Sequence, residues 1–256
     1  VAATPRLGTP LGLAWRLQRS GFIAWGCVIV LFGLVDGLFG QALLDAAGDM
    51  PPMLSDMFGG VDAMGEGYLA FLAEFSGYLV VAYVVSSAGA LLIEEQRGRA
   101  EAVLATPTSR LAWAGAHWLV IAINVVVIMA IAGLVAGAAF GSVTGQWSAV
   151  GASVVGHLNL VTGVLVVLGA VALLFGWVPR LLVPVGWAIV GIVVLAGLFG
   201  QLLDLPDWVL DLSPLRHPAQ IPVEPFAWAP VAVLAGIAAV GVILGLVGLR
   251  RRQIAG

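Results

Sequence analysis

A polar segment between two long apolar stretches has the pattern best suited to contact with a protein partner. It reads Glu94-Glu95-Gln96-Arg97-Gly98-Arg99-Ala100-Glu101-Ala102-Val103-Leu104-Ala105-Thr106-Pro107. The two leading acids end an apolar stretch, where a helix dipole disfavours anions, and Gly98 then permits a break. Val103 and Leu104 follow Ala100 at the i, i+3, i+4 spacing of a helical apolar face. We predict a short helix with an apolar ridge and flanking charges, which suits docking in a groove of a cytosolic partner.

The same segment can also be read as a solvated connector. Its acids would then pair with Arg97, Arg99 and Arg110, and surface pairs of this kind contribute little to stability. In either case Thr106 and Pro107 have the cap and first-turn residue types that begin a helix. The pattern alone leaves both interpretations open.

Three of the polar residues within apolar stretches are candidates for a functional role. Asp36 is the one acid well inside a predicted span, where a charge is costly and suggests proton coupling or contact with a cationic substrate. Alternatively, it faces a water-filled vestibule or pairs with Arg216. His157 and Asn159 are candidates for a polar pathway, with interhelical hydrogen bonding as the other interpretation. The histidines are too scattered for a chelating motif, so no metal site is predicted.

The residue types that are missing exclude several functions. All 11 basic residues are arginine, so the chain has no lysine for a phosphate-binding P-loop or for a Schiff base. Its single cysteine, Cys27, excludes an internal disulfide. If ATP drives this protein, another chain must bind the ATP and its Mg²⁺, and we expect no cofactor in this one.

Composition places the chain in a membrane. Of its 256 residues, 61% are hydrophobic and only 10% are charged, against about 25% charged in soluble domains. A spanning helix needs about 20 mostly apolar residues, and six segments qualify. We predict an all-α integral membrane protein, a single transmembrane domain over residues 1–256, with spans at about 21–44, 68–93, 111–141, 149–178, 181–203 and 228–249.

The charged residues predict the orientation. Val178-Pro179-Arg180 is the natural turn between the fourth and fifth spans, because arginine is costly at a bilayer centre. Alternating the connectors then puts ten of the 11 arginines on one side with three acids, and Arg216 on the other side with ten acids. Excess arginine marks the cytoplasmic side, so both termini are predicted to be cytoplasmic.

Two regions outside the spans have features of their own. Thr9 and Pro10 are suited to begin a helix, and residues 10–20 separate an arginine face from an apolar face, which predicts an amphipathic helix lying on the inner leaflet. On the outer side, residues 51–60 suggest a short surface helix. The proline-rich region over about 204–227 is expected to be an ordered outer loop.

Glycines recur at four-residue spacing in the third span and just after it. They are Gly133, Gly137, Gly141 and Gly145, and two shorter stripes repeat the spacing, Gly33/Gly37 and Gly241/Gly245. Small residues at this spacing let helix backbones approach closely. The stripe over 133–145 is therefore a predicted packing interface, either within this bundle or with a second membrane subunit.

The pattern Glu94-x-x-x-Gly98-x-x-Glu101-x-x-Leu104-x-x-Pro107-x-x-Arg110 resembles the first cytoplasmic loop of type-2 ATP-binding-cassette exporter permeases. The helix before span one, the outer loop Leu212-Ser213-Pro214-Leu215-Arg216-His217-Pro218 and the terminal cluster Arg250-Arg251-Arg252 agree with this family. The resemblance covers essentially the whole chain. In particular, it looks like one six-span half of the actinobacterial permeases of polyketide-antibiotic and multidrug exporters.

The resemblance implies that the loop over 94–110 forms a coupling helix, received by a cytosolic ATP-binding subunit that is present in two copies or has two sites. The residues that match this role are Glu94, Glu95, Arg97, Gly98, Glu101, Val103, Leu104, Pro107 and Arg110. It also implies a second permease half, fused upstream or present as a dimer mate, within the lipid of the plasma membrane. No nucleic-acid partner is expected.

The expected function is therefore that of a permease half, not itself an enzyme, in an ATP-driven exporter of hydrophobic or amphipathic compounds such as antibiotics, drugs or lipids. One alternative is a proton-coupled secondary transporter that uses Asp36, alone or with Glu74 and His157. Another is a membrane scaffold that transports nothing.

Overall fold

In the computed structural model, the described residues are 9–51, 55, 58–97, 108–200 and 202–252, and all their regular structure is helical. Six helices are long and apolar enough to cross a membrane, which confirms the prediction of an all-helical, six-span protein. Called spans one to six, they are Pro10–Leu38, Met64–Gln96, Arg110–Thr144, Ser148–Trp177, Leu182–Phe199 and Trp228–Arg251. The shorter elements are the helices Gly40–Ala46 and Asp207–Leu210 and the 3-10 turns Ala47–Asp49 and Pro179–Leu181.

The prediction of a separate interfacial helix over 10–20 is wrong. Thr9 caps the helix through its side chain and Pro10 begins it, as expected, but the helix then continues without a break to Leu38. Residues 10–20 pack against span three, where Ala14 is fully buried with Ala116 and Val120. The larger apolar side chains Leu11, Trp15 and Leu17 stay exposed, so residues 10–20 form the mostly exposed first part of one continuous helix.

Span one also ends earlier than predicted. The amide of Phe39 donates to the carbonyls of Asp36 and Gly37, and a second short helix follows from Gly40. A Cβ atom at Gly40 would lie 2.3 Å from the ring of Phe140 on span three. The chain therefore bends where a glycine lets it pass close to that aromatic side chain.

Two connections show how local chemistry sets helix ends. Val178 ends span four and Pro179–Leu181 leads into span five, so the predicted turn is confirmed. The prediction that Thr106 and Pro107 begin span three is corrected, because Ser109 is the cap. Its hydroxyl accepts from the amide of Ala112 at 3.1 Å, and the helix begins at Arg110. Thr106 and Pro107 themselves lie outside the described residues.

The helices pack as a bundle around spans two, three and four. Span one packs on span three, span three on span four, and span four on span six, while span two lies against spans one, three and four and carries span five. The largest buried side chains include Tyr83, Phe140, Phe175, Ile121 and Met129. Spans one, five and six expose most of their apolar surface, as expected of helices that face lipid or another membrane subunit.

Candidate functional site

A buried ion pair joins the ends of spans two and six. Arg252 directly follows span six and donates through Nη2 to Oε1 of Glu95. The side chain of Arg252 is 22% exposed and that of Glu95 is 8% exposed. The guanidinium also lies over the ring of Phe175 near the end of span four, 5.5 Å from its centroid. Arg252 thus connects three helices at the end of the bundle that carries most of the arginines, which we call the arginine-rich end.

The first residue of span three joins this cluster. Arg110 donates through Nη1 to the backbone carbonyl of Arg252 at 3.2 Å. Of the residues predicted to form the coupling loop, the structure therefore brings Glu95 and Arg110 together, whereas Arg97 is exposed and Glu94 is part-buried. The remaining members, Gly98, Glu101, Val103, Leu104 and Pro107, lie outside the described residues, and their roles stay predictions.

The histidine inside span four serves in helix packing. His157 is fully buried; its Nδ1 lies 2.8 Å from the carbonyl of Ser153, so this nitrogen carries the proton and donates. The other nitrogen, Nε2, then accepts from the hydroxyl of Ser76 on span two at 3.2 Å. Both ring nitrogens are thus engaged in hydrogen bonds, as the interhelical interpretation of His157 predicts.

Asn159 faces the loop between spans five and six rather than another spanning helix. Its amide nitrogen donates to the carbonyl of Ala219 at 2.7 Å. Leu215 from the same loop is buried against Gly77 of span two and Gly163 of span four. The predicted ordered loop is therefore anchored between two spans, and it contains one short helix, Asp207–Leu210.

Asp36 does not pair with Arg216, which corrects one suggestion from the sequence. Arg216 instead binds the carboxylates of Asp207 at 3.1 Å and Asp211 at 3.7 Å within the loop between spans five and six. The backbone carbonyl of Asp36 accepts a hydrogen bond from the hydroxyl of Tyr68 at 2.7 Å. Its half-buried carboxylate forms no ion pair with any described residue.

The glycine stripes are used for packing inside this chain. A Cβ atom at Gly133 would lie 2.9 Å from the Cα of Val154, and one at Gly137 would lie 2.7 Å from the Cα of Val150, both on span four. Gly141 approaches the connection to span four. Gly145 adopts φ +75° and ends span three, a left-handed conformation that favours glycine.

Three interhelical contacts are missing from the sequence predictions. Asn124 on span three donates to the hydroxyl of Tyr83 on span two at 2.8 Å, fully inside the core. The contacts of Ser76 with His157 and of Phe175 with Arg252 likewise become visible only in the tertiary structure. An isolated amide in an apolar stretch is the signal that could have marked Asn124, because a polar side chain at that depth needs a partner.

Comparison with known proteins indicates what kind of membrane protein this is. The family described as "Multidrug efflux system permease Rv1217c, C-terminal domain" matches residues 7–250. The multidrug efflux system permease protein Rv1217c of Mycobacterium tuberculosis is 33% identical over 256 residues, which cover 98% of this chain and 46% of that protein. The chain thus spans about half the length of this relative.

Proposed function

This chain belongs to the family of the C-terminal domain of the multidrug efflux system permease Rv1217c, and we propose that it is the membrane-spanning half of an ATP-driven exporter. It is a multi-pass protein of the plasma membrane and a permease of an efflux system. The match over residues 7–250 carries the proposal. The polar segment 94–110 and the lack of lysine support it, because they favour a separate subunit that binds ATP and Mg²⁺.

Under this proposal, the ATP-binding subunit receives the segment between spans two and three. Closure of two such subunits or sites would push on that segment. The ion pair of Glu95 with Arg252, and the bond from Arg110 to the Arg252 carbonyl, would pass the displacement to spans three and six. Span six packs on span four, so the whole bundle would move relative to a second permease half.

The cargo we propose is hydrophobic or amphipathic. The chain offers large apolar surfaces on spans one, five and six. A pathway between this half and its partner would therefore have apolar walls, which suits drugs, antibiotics or lipids better than sugars or ions.

Purification of the complex tests this function directly. We expect an ATPase subunit to co-purify with the chain, and its turnover in proteoliposomes to rise when an exported compound is added. Uptake that depends on a pH gradient and not on ATP would contradict the proposal in favour of a secondary transporter. The absence of any transport would instead favour a scaffold.

Charge reversal in the coupling segment should uncouple transport. We expect Glu94→Arg combined with Glu101→Arg to lower ATP-dependent export about tenfold, the equivalent of about 1.4 kcal/mol, because the segment would repel a complementary partner surface. The amount of membrane-inserted chain should stay the same. The control, Asp62→Asn with Glu66→Gln, removes two exposed acids from the opposite end and should transport normally. Unchanged export by the reversed variant would refute the coupling role.

A substitution of Asp36 distinguishes ATP-driven export from proton-coupled transport. We expect Asp36→Asn to export at the wild-type rate between pH 6 and 8, since the contact to Tyr68 uses the Asp36 backbone and survives the substitution. Initial rates in proteoliposomes supplied with ATP measure this. A rate that loses its pH dependence only in the variant would support proton coupling instead.

A further inference from the structure

An apolar groove of about 280 Å³ opens between spans four and six at the arginine-rich end. It is lined by Leu173, Leu174, Trp177, Val178 and Leu244. Four of these five side chains are more than a third exposed. The groove is slightly smaller than the sites that enclose whole small molecules, so it suits one part of a larger amphipathic molecule.

The wall of the groove is held in place by hydrogen bonding and close packing. The indole nitrogen of Trp177 donates to the carbonyl of Leu244 at 2.9 Å. Gly248, one turn further along span six, leaves the space that the indole fills, because a Cβ atom there would lie 2.5 Å from the indole nitrogen. The tryptophan therefore lies across the two helices as a fixed surface at the end of the groove.

A cation lies at the same end. The guanidinium of Arg251 is placed over the Trp177 ring, 6.0 Å from its centroid, within range of a cation–π interaction. Among the described residues Arg251 forms no ion pair, unlike Arg252, which is bound to Glu95. Arg250 and Arg180 are exposed at the ends of the same two spans. The groove therefore has apolar walls and positively charged side chains at its open end.

This combination matches the chemistry of one class of ligand. Tryptophan at the end of a span lies at the level of the lipid headgroups, so the apolar walls are at the depth of the acyl chains and Arg251 is at the depth of the phosphates. Basic pockets between spanning helices bind anionic headgroups. We propose that this groove binds an anionic phospholipid, with an acyl chain against Leu173, Val178 and Leu244 and the phosphate at Arg251. The site is independent of the proposed ATP-driven transport.

Native mass spectrometry of the purified full chain in detergent tests the site. The probes are phosphatidylglycerol and phosphatidylcholine with identical acyl chains. We expect one phosphatidylglycerol to be retained roughly fivefold more strongly than phosphatidylcholine, the effect of about one arginine near a headgroup. Arg251→Gln should abolish this preference, and Leu244→Trp, which fills the groove, should reduce retention of both lipids.

Arg19→Gln is the matched control, because it removes the same charge from an exposed position on span one at the same end. It should keep the preference for phosphatidylglycerol. Equal retention of the two lipids by the wild-type chain would overturn the proposal. So would an equal loss in Arg19→Gln and Arg251→Gln, because the attraction would then come from the overall charge of this end.

Discussion

Gly245→Ala is expected to separate spans four and six and to destabilise the bundle. A Cβ atom at Gly245 would lie 2.3 Å from the carbonyl oxygen of Ala172, and one at Gly176 would lie 2.0 Å from the carbonyl oxygen of Gly245. These atoms belong to the backbone and cannot rotate away, so the helices themselves must move apart. Overpacking of this kind costs about 1–3 kcal/mol. Leucine at the same position should prevent the pair from packing at all.

Thermal unfolding of the purified chain in detergent measures this effect. For a chain of this size, we expect the melting temperature of Gly245→Ala to fall by roughly 5 °C or more. Gly236→Ala is the control on the same helix, because no atom lies within 4 Å of its Cβ position, and alanine there favours the helix. Melting of Gly245→Ala at the wild-type temperature would show that spans four and six do not pack through this glycine.

Breaking the ion pair between Glu95 and Arg252 should be the most damaging single change at the arginine-rich end. Removing one partner of a fully buried pair costs about 3–5 kcal/mol, because the remaining charge is left without compensation. Arg252 keeps 22% of its side chain exposed, so we expect about 2–3 kcal/mol for Glu95→Gln or Arg252→Gln. Both variants should also export less, because the ends of spans two and six are no longer connected.

A double-mutant cycle separates the pair from the individual side chains. Glu95→Gln combined with Arg252→Gln leaves no unpaired charge, so its loss of stability should be smaller than the sum of the two single losses. Arg250→Gln, at the exposed neighbouring position, is the control and should change the melting temperature little. Strictly additive losses would mean that the two side chains do not interact in the membrane-inserted protein.

Several features of the fold could be predicted because they depend on one stretch of chain at a time. The turn at Val178 and the start of a helix at Pro10 both follow from local residue types, and the structure has both. The predicted start of span three near residue 111 agrees with Arg110, but its cap is Ser109 rather than Thr106, because the residue types alone do not rank the two caps. The interfacial helix was wrongly predicted to be separate from span one, because no residue between the two is strong enough to end a helix before Leu38.

The candidate sites were predicted less completely. Glu95 and Arg110 could be named from their segment, but their shared partner Arg252 lies 157 residues from Glu95 and could not be. For His157, hydrogen bonding between helices could be named as a role, whereas its partner Ser76 could not. The groove behind Trp177 and Arg251 had no signal of its own, since it exists only where two helices meet.

The sequence by itself determined that the chain lies in a membrane, crosses it six times and carries most of its arginines at one end. Each of these depends on the cost of placing individual residues in lipid, a cost that residue type sets locally. Only the tertiary structure decided which helix faces meet. That choice depends on how side chains from distant segments fill space and complete hydrogen bonds, as at Gly245 against Ala172 and at Arg252 against Glu95.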